Sequence, residues 1–467
     1  MNHSSKGNLV LGSLRELGTV GLVAGLSGAY AAVLIMTSTV LAAMSEESGG
    51  SVGLMLGIVA GVFILIALYV GAIVIIGAVD TVISGRLRHI ALLRLLGSRA
   101  KDLRVSVVRG TATVGALGAL AGVVVGTVLT HATRAVLVAR GTLPEADYPL
   151  VSSALVVAFW AIAVCAMCAG WLGSRGVLQV SPAAALSGTA APVTASGRAS
   201  LLRAVVAGIG IVGGFGVLAA GALAGESAPE AGFVLSFFGA AGASTGFLVG
   251  ARLVIPSMVA AFSRLLGRDP ASVVARRNAL LDPLRTTRST MGLVIGVTLV
   301  TTFASGMAAL RASVDAWELD AEQRAEALQI MDVTTAVLVG IIVISSLIAA
   351  VGFVSTMSLT VIQRHREIGL LRTLGFTQRQ VRTMITKESV ALSVSAILFG
   401  TVLGIIYGTS AAQSLVGSQG SGFVWGVPWV SLAAIAVCGL VLVLLASRGP
   451  ARRAIDIAPV EALRIEA

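Results

Sequence analysis

Long apolar blocks alternate with short polar, mostly basic ones along the whole chain. Ten apolar blocks are long enough to cross a hydrocarbon core about 30 Å thick, which takes roughly 20 residues of helix. They run at about 19–44, 52–83, 105–130, 150–173, 204–225, 232–250, 291–310, 334–362, 389–411 and 427–446. The second and eighth run near 30 residues, so these helices should tilt or project past the bilayer. The pattern predicts an all-α polytopic membrane protein with about ten spans. The first block has too long an apolar core, and too long a polar lead, for a cleaved signal peptide. It is read as a retained helix.

Composition narrows the class. The 467 residues are 56% hydrophobic and 12% charged, whereas soluble domains carry about 25% charge. This excludes a soluble enzyme, a secreted disulfide scaffold and a disordered chain. The net charge of +11 is unevenly spread. Segments 85–109, 252–288 and 364–388 are basic, as is the tail with Arg448, Arg452, Arg453 and Arg464. The alternate connections carry Glu46 and Glu47, then Glu226 and Glu230, then the acidic stretch 315–332. The positive-inside rule puts the basic set in the cytoplasm, and with it both termini of a cell-membrane protein. The loop with His131, Arg134 and Arg140 is a mild exception. The basic stretches are short and hinge directly onto apolar spans, so their partner is the lipid bilayer and not nucleic acid. Cys165 and Cys168 form a C-x-x-C inside an apolar run with no second pair nearby. They read as small hydrophobes, not as a zinc or redox site.

The chain repeats itself. With Arg86 set against Arg364, a shift of 278, the register holds without a gap to Gly126 against Gly404, and 13 of the 41 pairs are identical. Eight identities fall in the first twelve: Arg86/Arg364, Arg88/Arg366, Ile90/Ile368, Leu92/Leu370, Leu93/Leu371, Arg94/Arg372, Leu96/Leu374 and Gly97/Gly375. Arg104/Arg382, Gly122/Gly400 and Gly126/Gly404 follow. The organisation expected is a four-helix unit at 1–190, a linker with two spans at 191–269, and a second four-helix unit at 270–467. Each repeated loop follows the second span of its unit, so the duplication is parallel.

A loop that repeats more faithfully than the spans around it points to a contact made twice. Arg366-Glu-Ile-Gly-Leu-Leu-Arg-Thr-Leu-Gly375 puts Ile368, Leu371 and Leu374 at helical spacing with arginines around them. Gly375 stands where a helix would stop. Residues 377–387 begin a second basic amphipathic run that climbs into span nine. Two such loops would offer two equivalent surfaces to a soluble partner. Small-residue stripes mark where helices can approach closely: Gly53, Gly57 and Gly61, then Gly122 with Gly126, then Gly400 with Gly404.

Segment 364–388 with its following Gly-x-x-x-Gly span resembles the FtsX-like permease domain of ABC transporters, and the copy at 86–97 resembles a second one. The resemblance implies a mechanotransmission-type permease of the MacB/BceB kind, laid out as four plus two plus four helices. It implies coupling helices that dock on ATPase subunits, carried by Arg86, Arg88, Ile90, Leu93, Arg94 and Gly97, and by Arg364, Arg366, Glu367, Ile368, Leu371, Arg372 and Gly375. His89 stands where the second copy has Glu367, and Gly110 where it has Glu388, so the two docking sites need not be equal in strength. The expected partners are two ATPase copies per chain, which would supply ATP and Mg; the chain itself would bind no cofactor or metal.

The pattern departs from those relatives in one respect. They carry a large extracytoplasmic domain, but here the connection 45–51 is very short and 311–333 is about 20 residues. Neither could build its own core. In the longer one Asp315, Glu318, Asp320, Glu322, Glu326 and Asp332 outnumber Arg311 and Arg324. This is either an amphipathic helix, with Trp317 at the interface, that attracts a cationic amphiphile, or an outer loop that merely lacks Lys and Arg.

No G-x-x-x-x-G-K-[ST], H-E-x-x-H or G-x-S-x-G occurs. No acid–base pair lies within the spans, and Asp80 falls near the cytoplasmic interface, which argues against a proton-coupled carrier. The expected function is a non-enzymatic ABC permease subunit that exports, or clears from the membrane, a lipophilic or amphipathic compound such as an antimicrobial peptide or drug. The alternative is an ATPase-driven signalling module working with a sensor kinase or another membrane partner. A third reading, a structural or channel-like protein with no ATPase, would make the arginine loops dispensable.

Overall fold

The computed structural model describes residues 18–46, 61–62, 65–66, 69, 72–73, 75–76, 79, 92–93, 95–139, 151–174, 197–263, 273–274, 277, 283–316, 320–321, 324, 328, 331, 335, 365–417, 422, 425–437 and 441. Among them the regular structure is helical and no strand occurs. Six of the helices are long and apolar enough to cross a membrane. The chain is a multi-pass helical membrane protein. Expected spans 52–83, 334–362 and 427–446 lie partly outside the described residues; ten described positions between 61 and 79, residue 335 and residues 429–437 are helical. Asp80 lies outside the described residues.

The chain divides into two compact units, Met1–Thr194 and Ala195–Ala467. The first contains α1 (Gly18–Glu46), α2 (Ala100–Ala139) and α3 (Ala154–Gly173). Helices α1 and α2 run parallel in close contact. Gly21 meets Val114, Gly25 meets Gly118, and Ala29 lies against both Gly122 and Gly126. A methyl group at Gly122 would overlap the carbonyl oxygen of Gly25. The Gly122/Gly126 stripe therefore serves packing inside one unit, where small residues let backbones approach. Helix α3 runs antiparallel along another face of α2, with Gly115 against Ala166 and Thr111 against Gly170.

Helix α2 corrects one expectation. His131 and Arg134 do not lie in a loop; they belong to its last turns. No Gly or Pro interrupts 127–140, and Gly141 is the first breaker. The 40-residue helix is about 60 Å long at 1.5 Å per residue, roughly twice the hydrocarbon thickness. Polar residues in its last turns thus clear the apolar layer without ending the helix. Arg140 lies outside the described residues.

The second unit contains α4 (Gly197–Ala224), α5 (Pro229–Ser263), α6 (Pro283–Ala316), α7 (His365–Thr373) and α8 (Gln378–Val416). Arg252 is also helical, since α5 continues through it to Ser263. Helices α4 and α5 form an antiparallel hairpin, with Gly210 against Gly246, Gly214 against Ala243 and Gly225 against Gly232. The hairpin docks on α8 through aromatic rings. Phe215 lies 6.1 Å from both Phe247 and Tyr407, and Phe247 lies 5.1 Å from Phe399. Ser244 donates a hydrogen bond to the Tyr407 hydroxyl at 3.2 Å. Tyrosine is usable here because its polar tip finds this partner within an apolar site.

Helices α6 and α8 repeat the parallel pairing of α1 and α2. Gly400 abuts Val297, Gly404 abuts Thr301, and Gly408 abuts Thr302 and Gly306. A core of Ala251, Ile255, Val259, Leu293, Val294, Val297, Ala391, Leu392 and Ala396 binds α5, α6 and α8 together. Near the far end Ser305 donates to the Gly426 carbonyl, and Arg311 Nη2 donates to Thr335 Oγ1 at 3.2 Å. In the acidic stretch Arg324 N–H bonds the Asp320 carbonyl at 2.9 Å, and the described positions from 321 on are helical. Trp317, Glu318, Glu322, Glu326 and Asp332 lie outside the described residues, and Asp315 belongs to the end of α6.

Candidate coupling surface

The repeated loop folds as a short helix, a sharp turn and a long helix. Helix α7 stops because Gly375 takes φ +98°, a left-handed conformation that glycine adopts without a Cβ clash. The Phe376 N–H bonds the Leu371 carbonyl at 3.0 Å, and the Gly375 N–H bonds that of Arg372 at 3.1 Å. This six-to-one and five-to-two pair satisfies carbonyls left over at the helix end. Thr377 then starts α8 with a capping box: Thr377 Oγ1 accepts from the Gln380 N–H at 3.2 Å, and Gln380 Oε1 accepts from the Thr377 N–H at 2.9 Å.

The first copy makes the same turn. Gly97 has φ +95°, the Ser98 N–H bonds the Leu93 carbonyl at 3.0 Å, and the Leu96 N–H bonds that of Leu92 at 3.0 Å. The last bond matches Leu374 to Leu370, also 3.0 Å, at the 278 shift. Helix starts Ala100 and Gln378 keep the same shift. The first copy lacks the box, because Arg99 stands in the place of Thr377.

The leucines sort differently from the expected stripe of Ile368, Leu371 and Leu374. Leu371 turns inward and joins Phe376 against the buried core of Val381, Met384 and Ile385. That contact fastens α7 to the start of α8. Leu374 is 72% exposed and pairs, four residues on, with Leu370, also exposed. Leu92 and Leu96 are exposed in the first copy, Leu96 at 84%, while Leu93 is half-buried. Leu374 belonged to the expected stripe, whereas Leu92, Leu96 and Leu370 were not among the expected contact residues. Their identity across the repeat was the signal: neither fold nor lipid requires a leucine at a position turned out from a short polar-flanked helix.

The other expected residues are distributed as follows. Arg366, Glu367 and Ile368 fall in the first turn of α7, and Arg372, in its last turn, is half-buried. Arg86, Arg88, Ile90, Arg94 and Arg364 lie outside the described residues. Exposed Arg379 and Arg382 follow the second turn, and exposed Arg99 and Lys101 follow the first. Each copy therefore offers a matching pair of apolar knobs beside basic groups, and the first adds a third in exposed Leu95, where the second copy has Thr373. Such a surface suits a shallow apolar pocket with an acidic rim.

A helical membrane protein with two copies of one helix–turn–helix loop is the class these features define. Within it, the chain belongs to the family of FtsX-like permeases: it matches FtsX-like permease C-terminal twice, at residues 61–182 and 339–459, together just over half the chain. It is similar to an uncharacterised ABC transporter permease of Methanocaldococcus jannaschii, at 29% identity over 32% of this chain and 37% of that protein. It is similar to the lipoprotein-releasing system transmembrane protein LolC of Haemophilus influenzae, at 30% over 26% of this chain and 31% of LolC. It is also similar to the macrolide export ATP-binding/permease protein MacB of Bdellovibrio bacteriovorus, at 31% over 28% of this chain and 19% of MacB. The chain spans about a third of the length of the first curated relatives it matches.

Proposed function

We propose that this chain is the permease subunit of an ABC transporter and that its two repeated loops dock on two copies of a separate ATPase. The observation that carries the reading is the exposed leucine pair, Leu92 with Leu96 and Leu370 with Leu374, held at matching places by matching glycine turns. ATP and Mg would be held by the ATPase. Closure of the ATPase pair would push on the two loops, and long helices would carry the motion to the opposite face. In this reading both termini are cytoplasmic, the plan is four plus two plus four spans in the cell membrane, and no large extracytoplasmic domain is present. The substrate is a lipophilic or amphipathic compound such as an antimicrobial peptide or drug. The short outer connections and the names of LolC and MacB, lipoprotein release and macrolide export, support a substrate met in or at the membrane.

Co-purification of the full chain with candidate ATPase subunits tests this, with Arg366→Glu plus Arg372→Glu and, separately, Leu370→Asp plus Leu374→Asp. The expected outcome is loss of the complex in both, with affinity lowered at least tenfold, about 1.4 kcal/mol. An intact complex in both would withdraw the coupling reading. A lost complex together with coupled hydrolysis but no flux of any amphiphile in the wild type would favour the signalling module.

A further inference from the structure

Arg104 lies at the start of α2, seven residues beyond Gly97. Its guanidinium sits over the indole of Trp171, 4.7 Å from the ring centroid. Arg104 Nη2 donates to the Trp171 carbonyl at 3.3 Å, and Nε donates to Ser174 Oγ at 3.2 Å. Ser174 is fully buried; its hydroxyl donates to the same Trp171 carbonyl at 2.9 Å, and its N–H bonds the Gly170 carbonyl at 3.0 Å. One cation therefore closes the C-terminal end of α3, where carbonyls lack helical partners and the helix dipole is negative.

The seam beyond this contact leaves little slack. A methyl at Gly170 would overlap the Thr111 hydroxyl, and one at Gly115 would overlap the Ala166 side chain. Packing this close moves as a block and does not deform gradually. The start of α2 and the end of α3 are thus tied at one point by Arg104 and along their length by small residues. The tie lies within two turns of the coupling glycine.

Arg104 recurs as Arg382, again seven residues past its glycine, and Arg382 is exposed on α8. The α3 end also recurs: Trp171-Leu-Gly-Ser-Arg-Gly176 matches Leu444-Leu-Ala-Ser-Arg-Gly449. Serine, arginine and glycine are kept, but leucine replaces the tryptophan. At this matched position the first copy has an aromatic side chain, on which a guanidinium stacks, and the second has leucine; residues 444–449 lie outside the described residues.

We propose that Arg104 is a positioning residue that locks the coupling turn to the end of α3, so that a push on the turn moves α2 and α3 together, and that the first unit alone has the full lock. The proposal rests on the coupling reading above. It concerns transmission after docking, because Arg104 Nε and Nη2 are engaged on the end of α3.

The test uses the full chain with its co-purified ATPase in phosphatidylethanolamine/phosphatidylglycerol vesicles. Arg104→Ala and Trp171→Leu each keep wild-type amounts of bound ATPase but lower permease-dependent stimulation of hydrolysis about five- to tenfold, the size of an ordinary coupling between sites. The double variant is no worse than the worse single one, since both break the same link. Arg104→Lys restores less than half, because an ammonium lacks the planar fork that serves ring, carbonyl and hydroxyl at once. Arg382→Ala loses less than about twofold, since leucine stands at position 444, where the first copy has Trp171. Spin labels at Lys101→Cys and Leu172→Cys, with the native cysteines replaced by alanine, keep one narrow distance through the nucleotide cycle and broaden in Arg104→Ala. Wild-type stimulation in Arg104→Ala, additive losses in the double variant, or an unbroadened distance each overturn the proposal. Should Arg104→Ala fail to reach the membrane, Ser174→Ala and Trp171→Leu decide on the same readouts. If the wild-type chain recruits no ATPase, the coupling reading fails; the label distance in the chain alone then still decides whether Arg104 forms the lock.

Discussion

Val125 on α2 and Leu403 on α8 stand at equivalent places in the repeat, yet Val125 is 61% exposed and Leu403 is 5% exposed. One helical turn on, Leu129 is exposed and its counterpart Tyr407 is buried. The hairpin α4–α5 makes the difference, because Phe215, Leu218, Ala243 and Phe247 cover Leu403 and Tyr407. Where no hairpin reaches, exposure is alike: Leu120 and Leu398, or Val124 and Val402, all face outward. The duplication thus kept one pairing of helices and one turn, and added packing on one side only. The lesson is that sequence identity between the copies follows what is kept. The seam glycines, the turn glycines and the outward leucines match, while the covered face of α8 has diverged into aromatics.

The comparison breaks most visibly at the seam. Gly122→Leu drives a side chain into the α1 backbone at Gly25 and Ala29 and should cost about 3 kcal/mol or more. Gly400→Leu meets the movable side chain of Val297 as well as backbone and should cost less. Thermal unfolding in detergent ranks the two, and equal losses would mean the first seam is no tighter than the second.

A smaller contrast follows from the hairpin. Leu403→Ala should cost about 2 kcal/mol and Val125→Ala under about 0.5 kcal/mol. The cavity term survives in a membrane although the transfer from water does not. Equal melting shifts for the pair would show that burial under α4 and α5 contributes nothing.

The turns should behave alike. Gly97→Ala and Gly375→Ala each force a Cβ into the left-handed region, at about 1–2 kcal/mol. The same substitutions should also weaken ATPase recruitment, since they tilt the short helix that carries the leucines. A loss in one copy and none in the other would break the equivalence of the turns.

The smallest effect separates the caps. Thr377→Ala removes the acceptor of the capping box and should cost about 1 kcal/mol. Arg99→Ala removes no cap, and Arg99→Thr should gain a few tenths of a kcal/mol by creating one. Local amide exchange at residues 378–381 and 100–103 reads this directly.

Much of the plan was legible in the chain. Membrane class, span positions to within a few residues at α1 and α3, and the stop at Gly375 followed from apolar length and one glycine. Helix ends were less legible at α2 and α5, where His131, Arg134 and Arg252 looked like loop residues. A charged residue ends an apolar block, but a helix ends only when its backbone hydrogen bonds fail, and that takes a glycine, a proline or a cap.

The coupling surface divides the same way. The sequence by itself determined that the chain crosses a membrane, that it carries one loop twice, and that each loop turns at a glycine. These depend on apolar length, on identity at a fixed shift and on backbone sterics, all of them local. Tertiary structure alone decided that Leu371 faces inward while Leu370 and Leu374 face out, that the hairpin belongs with the second unit, and that Arg104 closes the end of α3. Each of these depends on which surface another helix already occupies, and no local pattern encodes that.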